Sequence, residues 1–262
     1  MLERTLYPAF RRLDFRGKGR LRRLLPVRSE GTAEVGFPGG LRLRLDLRES
    51  LQRDFLFGLY DRRELGLVRE HLRDGDFVDV GAHVGMYTVA ASLATRGRVL
   101  AFEPNPSARA QLARNLALNR CRDVLVLPKA VGDTRGRALL HVPATPDPSF
   151  SSLDAGRFAE GEPLDVEVTT VDAEVHAEGL RPTVVKIDVE GGELRVVGGM
   201  RDTIAQHRPV LLVEVTPASA RELAERLEGY SGFRVGRRLE PLESGVGLFN
   251  ALFVPQPPVP PL

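Results

Sequence analysis

Apolar residues in this chain follow two rhythms, and the change between them comes near Gly75. Ahead of it, residues 33–47 alternate apolar and polar positions through GLRLRLDL, beside the turn signal Phe37-Pro38-Gly39-Gly40, and predict a β-hairpin. Residues 51–73 set Leu51, Phe55, Leu59, Leu65, Val68 and Leu72 at helical spacing, which predicts one or two covering helices. Beyond Gly75, short apolar runs alternate with helical stretches. FVDVG (77–81), VLAFE (99–103), DVLVLPKAV (123–131), VVKIDV (184–189) and LLVEV (211–215) read as buried strands. Helices are predicted over 85–95, 107–119, 193–207 and 218–228, with Pro106 and Ser107 as the start signals of the second. Within 137–171, RALLHV and VEVTTV read as strands on either side of a long polar surface loop. FRV (233–235) and NALFV (250–254) end the series without a clear helix between them. The pattern predicts an α/β fold: a doubly wound, mostly parallel sheet with helices on both faces and an antiparallel C-terminal edge hairpin.

Composition narrows the class. At 262 residues, 42% hydrophobic and 27% charged, the chain suits one large domain with additions. No apolar run approaches the roughly 20 residues that cross a bilayer. The opening MLERTLYPAFRRLDF carries charges where a secretory signal needs its apolar core. Cys121 is the only cysteine, which excludes an internal disulfide and a cysteine metal cage, so the expected compartment is the cytoplasm. Residues 1–30 hold nine Lys/Arg against three Asp/Glu, a basic arm that suits a membrane surface, nucleic acid or an anionic substrate. Arginine supplies 34 of the 37 basic residues, so a general compositional bias explains the arm as well. The tail 256–262 is Pro-rich and reads as a loose end.

In a doubly wound sheet, ligands bind beyond the carboxyl ends of the strands. Here those ends carry Asp79-Val80-Gly81, Glu103-Pro104-Asn105, Ala130-Val131-Gly132-Asp133, Asp188-Val189-Glu190-Gly191 and Glu214. The first loop, Asp79 to Gly85, lacks G-x-G-x-x-G, so the dinucleotide fingerprint is not met. Gly81 and Gly85 still permit a tight turn and close backbone approach. An acid at the tip of the first strand can hold an ammonium group, and Glu103 can accept both hydroxyls of a ribose. A sulfonium amino acid joined to a nucleoside fits that chemistry better than a pyrophosphate. In KIDVEGGE (186–193), Asp188 faces the reactive end of such a cofactor, with Glu190 and Glu193 on the turn behind it. Glu193 also suits the helix dipole, and Lys186 reads as a buried partner for a carboxylate or as a snorkelling side chain.

FVDVGAHVGMYT, AFEPNP, KAVGD, TTVD, KIDVEGGE, LLVEV and NALFVP, in that order over about residues 60–255, resemble the FkbM family of methyltransferases. The resemblance implies a class I methyltransferase (Rossmann-like) fold with S-adenosyl-L-methionine as cofactor. It also implies O-methylation of a hydroxyl on a sugar, glycolipid or secondary-metabolite acceptor. On this reading residues 75–255 form the cofactor-binding domain, and 1–74 supply the extension, hairpin and covering helices. The resemblance puts Asp79, Gly81 and Gly85 around the methionine part, Glu103 on the ribose and Ala130 and Val131 beside adenine. Ala82, His83, Met86, Pro104 and Asn105 complete the expected cofactor set. His83 stands where the family commonly has Asn, and Met86 where an aromatic is frequent.

Methyl transfer from an activated sulfonium needs orientation, exclusion of water and a place for one proton. Asp188 is the first candidate for general base and Glu190 the second. Phe150, Ser151, Ser152 and Glu214 are the candidate acceptor contacts, the first three in a loop longer than a connection requires. No metal is expected, although Asp188, Glu190 and Glu214 have the oxygen chemistry to converge on one. The expected partner is a small-molecule, glycan or lipid acceptor. Nucleic acid is disfavoured because no aromatic follows Asp188, where nucleic-acid enzymes of this fold place one. The rivals are a nucleic-acid or other small-molecule methyltransferase, a non-catalytic binding module and an NAD-linked oxidoreductase.

Overall fold

A computed structural model of the protein describes residues 31–58, 62–142 and 163–257. The basic arm, Leu59, residues 258–262 of the Pro-rich tail and the loop bearing Phe150, Ser151 and Ser152 lie outside the described residues. The chain opens with the hairpin β1 (Thr32–Gly36) and β2 (Arg42–Asp46), then α1 (Ser50–Leu56) and α2 (Arg62–Leu72). There follow β3 (Asp76–Val80), α3 (Met86–Ser92), β4 (Val99–Phe102), α4 (Pro106–Asn119), β5 (Val124–Leu127), β6 (Lys129–Val131), β7 (Gly136–His141) and β8 (Pro163–Thr169). The second half runs α5 (Val171–Glu178), β9 (Pro182–Ile187), α6 (Glu193–Gly198), α7 (Arg201–His207), β10 (Val210–Val215) and α8 (Pro217–Arg226). It ends with β11 (Tyr230–Val235), β12 (Leu239–Pro241) and β13 (Phe249–Pro255).

The main sheet has the order β12-β11-β13-β10-β9-β3-β4-β5. Strands β10, β9, β3, β4 and β5 are parallel, whereas β13 pairs antiparallel with both β10 and β11, and β12 pairs antiparallel with β11. The antiparallel end is therefore as expected in kind, but β13 inserts between β10 and β11, and β12 is the edge. Three other details depart from the pattern. The run 123–131 is two strands rather than one: Pro128 interrupts it, and β6 joins a small sheet with β8 and β7. The helix expected over 193–207 breaks at Gly198-Gly199, where a Cβ on Gly199 would come within 2.1 Å of the Gly132 carbonyl oxygen. Helix α5 was not expected, yet its signals are present: Thr170 accepts a hydrogen bond from the Ala173 N–H, Asp172 and Glu174 occupy the first turn, and Gly179 closes the end.

Period-two alternation explains both the core and the site. Val78, Val80, Leu100, Phe102, Val185, Ile187, Leu211 and Val213 pack on one face against α5, α6 and α8. On the other face, Phe77, Val184, Leu212 and Leu252 pack against α2 and α3. Two residues further along that second face the side chains change to Asp79, Lys186, Glu214 and Asn250. The sheet is thus apolar at one end and charged at its carboxyl end. The hairpin is part of the same body, because Val35, Phe37, Leu41, Leu43 and Leu45 share an apolar cluster with Met86, Val89 and Ala90 of α3. Among the described residues, no helix is long and apolar enough to cross a membrane.

Candidate functional site

The turn after β3 is fixed by two glycines with positive φ. Gly81 has φ +88, and a Cβ there would lie 1.9 Å from the Asp188 carbonyl oxygen; Gly85 has φ +92 and caps α3. The turn is held by N–H groups of Gly81 and Ala82, which donate to the Phe102 carbonyl at 3.0 and 2.9 Å, and by the Asp188 N–H, which donates to Val80 at 2.9 Å. Three parallel strand ends therefore meet at one point with no room for a side chain.

Around it stand the carboxylates. Asp79 is 1% exposed and accepts a 2.5 Å hydrogen bond from the Thr88 hydroxyl. Burial pushes its pKa up to about 6, against the pull of that hydrogen bond and of the Lys186 ammonium. Glu103 is also buried, which raises its pKa, although His83 and Arg109 oppose the shift. Its two oxygens accept the His83 N–H at 2.7 Å and the Asn105 N–H at 2.8 Å. Asn105 in turn caps α4 by accepting the Ser107 N–H, and Arg109 donates to the carbonyls of Glu103 and Pro104.

Lys186 is the buried cation of the site. Its Nζ lies 3.2 Å from Asp188 Oδ2, 3.2 Å from Asn250 Oδ1 and 5.4 Å from the centre of the Tyr87 ring. Of the two readings of Lys186, the buried partner holds and the snorkelling one does not. Asp188, Glu190 and Glu214 come together, with oxygen atoms within 4.8 Å of one another. Burial first, and then the neighbouring Asp188, push the Glu214 carboxyl up to about 8. Glu193 faces the turn, not the cleft: it is buried and accepts the N–H groups of Val189 and Gly191. That is a structural role, and it supports Glu190 in its left-handed conformation at φ 58.

Other expected positions fall as follows. Ala82 is buried beneath the turn against Ala101 and Leu112. The Met86 side chain lies in the apolar cluster with the hairpin. Ala130 and Val131 are buried, Ala130 in the core of the small sheet and Val131 against the main one. Three groups near the site were not anticipated: Thr88, Asn250 and Glu49. Glu49 is almost fully buried, and its Oε2 lies 3.5 Å from His83 Nε2.

The model of the methyltransferase FkbM domain matches residues 79–235, and the chain belongs to that family. It is similar to the 31-O-demethyl-FK506 methyltransferase FkbM of Streptomyces tacrolimicus, at 31% identity over 66% of this chain and 78% of that relative. It is also similar to the hexuronic acid methyltransferase AglP of Haloferax volcanii, at 29% identity over 57% of this chain; the chain spans 59% of that relative's length. A solved methyltransferase FkbM from Methylobacillus flagellatus superposes with a TM-score of 0.48 at 15% identity, over 96% of this chain and 59% of that one.

Proposed function

We propose that this protein transfers the methyl group of S-adenosyl-L-methionine to a hydroxyl oxygen of a sugar, glycolipid or secondary-metabolite acceptor. The observation that carries the proposal is the charged carboxyl end of an otherwise apolar sheet, where Asp79 and Glu103 are buried beside a turn that excludes any Cβ. The donor set would suit the cofactor: a buried carboxylate with a raised pKa calls for a cation, and Glu103 at the tip of β4 would accept ribose hydroxyls. The names of the two curated relatives, one for a hexuronic acid and one for a 31-O-demethyl product, direct the proposal to an oxygen-bearing acceptor.

When bound, the cofactor supplies a methyl group already activated on a sulfonium. Asp79 would hold its ammonium group, the Gly81–Gly85 turn its amino-acid part, and Glu103 its ribose hydroxyls. Ala130 and Val131 would line the adenine side. Asp188 is partly open to solvent, with a side chain 33% exposed, and stands at the tip of the central strand β9. It would accept the hydroxyl proton of the acceptor, while Lys186 fixes its orientation from behind. Glu190 is the alternative base, and Glu214, carrying a proton to about pH 8, can donate a hydrogen bond to an acceptor oxygen. Acceptor contacts from Phe150, Ser151 and Ser152 belong to the same proposal, as does action in the cytoplasm.

The test is calorimetric titration with S-adenosyl-L-methionine, followed by a labelled-methyl screen of hydroxylated acceptors. With an acceptor found, Asp188→Asn is expected to lower turnover by about two orders of magnitude or more with cofactor affinity retained. Near-normal turnover would remove Asp188 from the base role.

A further inference from the structure

The cofactor turn is held from a direction that the family match does not cover. His83 lies at its centre with φ 49, a left-handed conformation that a non-glycine residue adopts only when its surroundings hold it there. Its backbone N–H donates to Glu103 Oε2 at 2.7 Å, so its position decides how that carboxylate is presented. Its imidazole points the other way, toward Glu49 on the segment between β2 and α1, with Nε2 3.5 Å from Oε2. Glu49 is itself fixed: the Gln111 amide on α4 donates to its Oε1 at 2.9 Å. Gln52 donates to Gln111 at 3.0 Å and accepts the Asp46 N–H at 2.7 Å. The chain of bonds thus ties the end of β2, the start of α1 and helix α4 to the tip of the turn. Glu49 lies outside the matched residues 79–235.

We propose that Glu49 is a positioning residue for the methyl-donor pocket: it grips the His83 imidazole and through it sets the backbone N–H that Glu103 accepts. This rests on the reading of the pocket given above. Glu49 does not touch the donor, and its effect is transmitted by His83.

The charges make the role measurable. The groups facing His83 are Glu49 from the segment before α1, Glu103 from the tip of β4 and Asp188 from the tip of β9. Burial works against the imidazolium, but these three carboxylates outweigh it and raise the His83 pKa above its ordinary value. Glu49 is the one in direct contact, and burial of its own carboxylate is outweighed by its bonds to His83 and the two glutamines, which lower its pKa. The imidazolium beside Glu103 also favours the ionised carboxylate, the better acceptor for ribose hydroxyls. Donor affinity should therefore be high while His83 is protonated and fall as pH rises through its raised pKa. Removing Glu49 should weaken binding and move that fall to lower pH.

The experiment is calorimetric titration with S-adenosylhomocysteine from about pH 6 upward, covering the ordinary histidine range and the pH values above it. Full-length wild type, Glu49→Gln and His83→Asn are compared, with thermal melts to confirm folding. For Glu49→Gln the expected result is an alkaline limb displaced to lower pH, with the dissociation constant raised about three- to tenfold between the displaced limb and the wild-type one, the size of up to one pKa unit of lost coupling. His83→Asn should lose the limb. Wild-type affinity and pH profile in Glu49→Gln would overturn the tether while leaving the pocket intact. So would a loss of affinity that is equal at every pH, since misfolding alone would produce it. Absence of any wild-type affinity would overturn the pocket reading, and the tether with it.

Discussion

Asp79→Asn separates what the site costs the fold from what it does for the ligand. Asp79 is 1% exposed, and burial raises its pKa from 3.8 to about 6. The folded protein therefore holds a proton that the unfolded chain has released between those two values. Stability must then fall as pH rises through that window, because the native state binds the extra proton. A shift of this size corresponds to roughly 3 kcal/mol over the whole window, at about 1.4 kcal/mol per unit. Between about pH 4.5 and 7.5 the same relation gives about 2 kcal/mol. The asparagine variant has no such term. It also buries an amide whose N–H groups need partners, a cost of order 1 kcal/mol, but that cost does not vary with pH and cancels in the comparison. Urea unfolding of the cofactor-free protein at both pH values should show the variant gaining about 2 kcal/mol on the wild type on going to the higher one. The same variant should lose nearly all affinity for the methyl donor. A stability difference that stays constant with pH, or one that moves against the variant as pH rises, would refute the assignment of Asp79 as a buried, reluctantly ionised carboxylate.

Other substitutions probe neighbouring parts of the site. Gly81→Ala, at φ +88 and 1.9 Å from the Asp188 carbonyl oxygen, should cost at least about 2 kcal/mol in thermal or urea unfolding and abolish donor binding. Glu103→Gln keeps one acceptor oxygen where the carboxylate serves two N–H groups, so donor affinity measured by calorimetry should fall about tenfold or more. Since Glu214 carries its proton to about pH 8, turnover that uses it as a donor should decline above that pH, and Glu214→Gln should remove the decline from the pH–rate profile. Excess chelator should leave turnover unchanged, because a buried ammonium and the proton on Glu214 already offset two of the three clustered carboxylates.

The central strands and their terminal acids were legible because one signal reports both. A buried parallel strand is a short apolar run, so the first charged residue at its end stands out, and in this fold that end is where ligands go. Asp79, Glu103, Asp188 and Glu214 were found in that way. What the pattern could not show was the company these residues keep. Thr88 lies on the buried face of a helix that reads as ordinary, and Glu49 meets Gln111 across 62 positions of sequence. Neither has a periodicity of its own. Met86 looked like part of the pocket by its place in the turn, but the first residue of α3 points into the hairpin cluster. The break at Gly198-Gly199 depends on the approach of Gly132 from another element, which no local window contains.

The site's charge balance explains why so many acids are tolerated at one end of a sheet. Among the described residues, Lys186 is the only lysine or arginine in the buried set, and it faces Asp79, Asp188 and Glu214 at once. One ammonium cannot neutralise three carboxylates. Without a ligand the protein meets the deficit by keeping protons, on Glu214 to about pH 8 and on Asp79 to about pH 6. A second cation entering the pocket would relieve the same deficit, allow those protons to leave and strengthen as the surrounding dielectric falls. The arrangement is therefore poor as a stabilising device and well suited to a cationic ligand. That asymmetry is what a sulfonium donor with a free ammonium group would exploit, and it sets this pocket apart from one built for an anionic pyrophosphate.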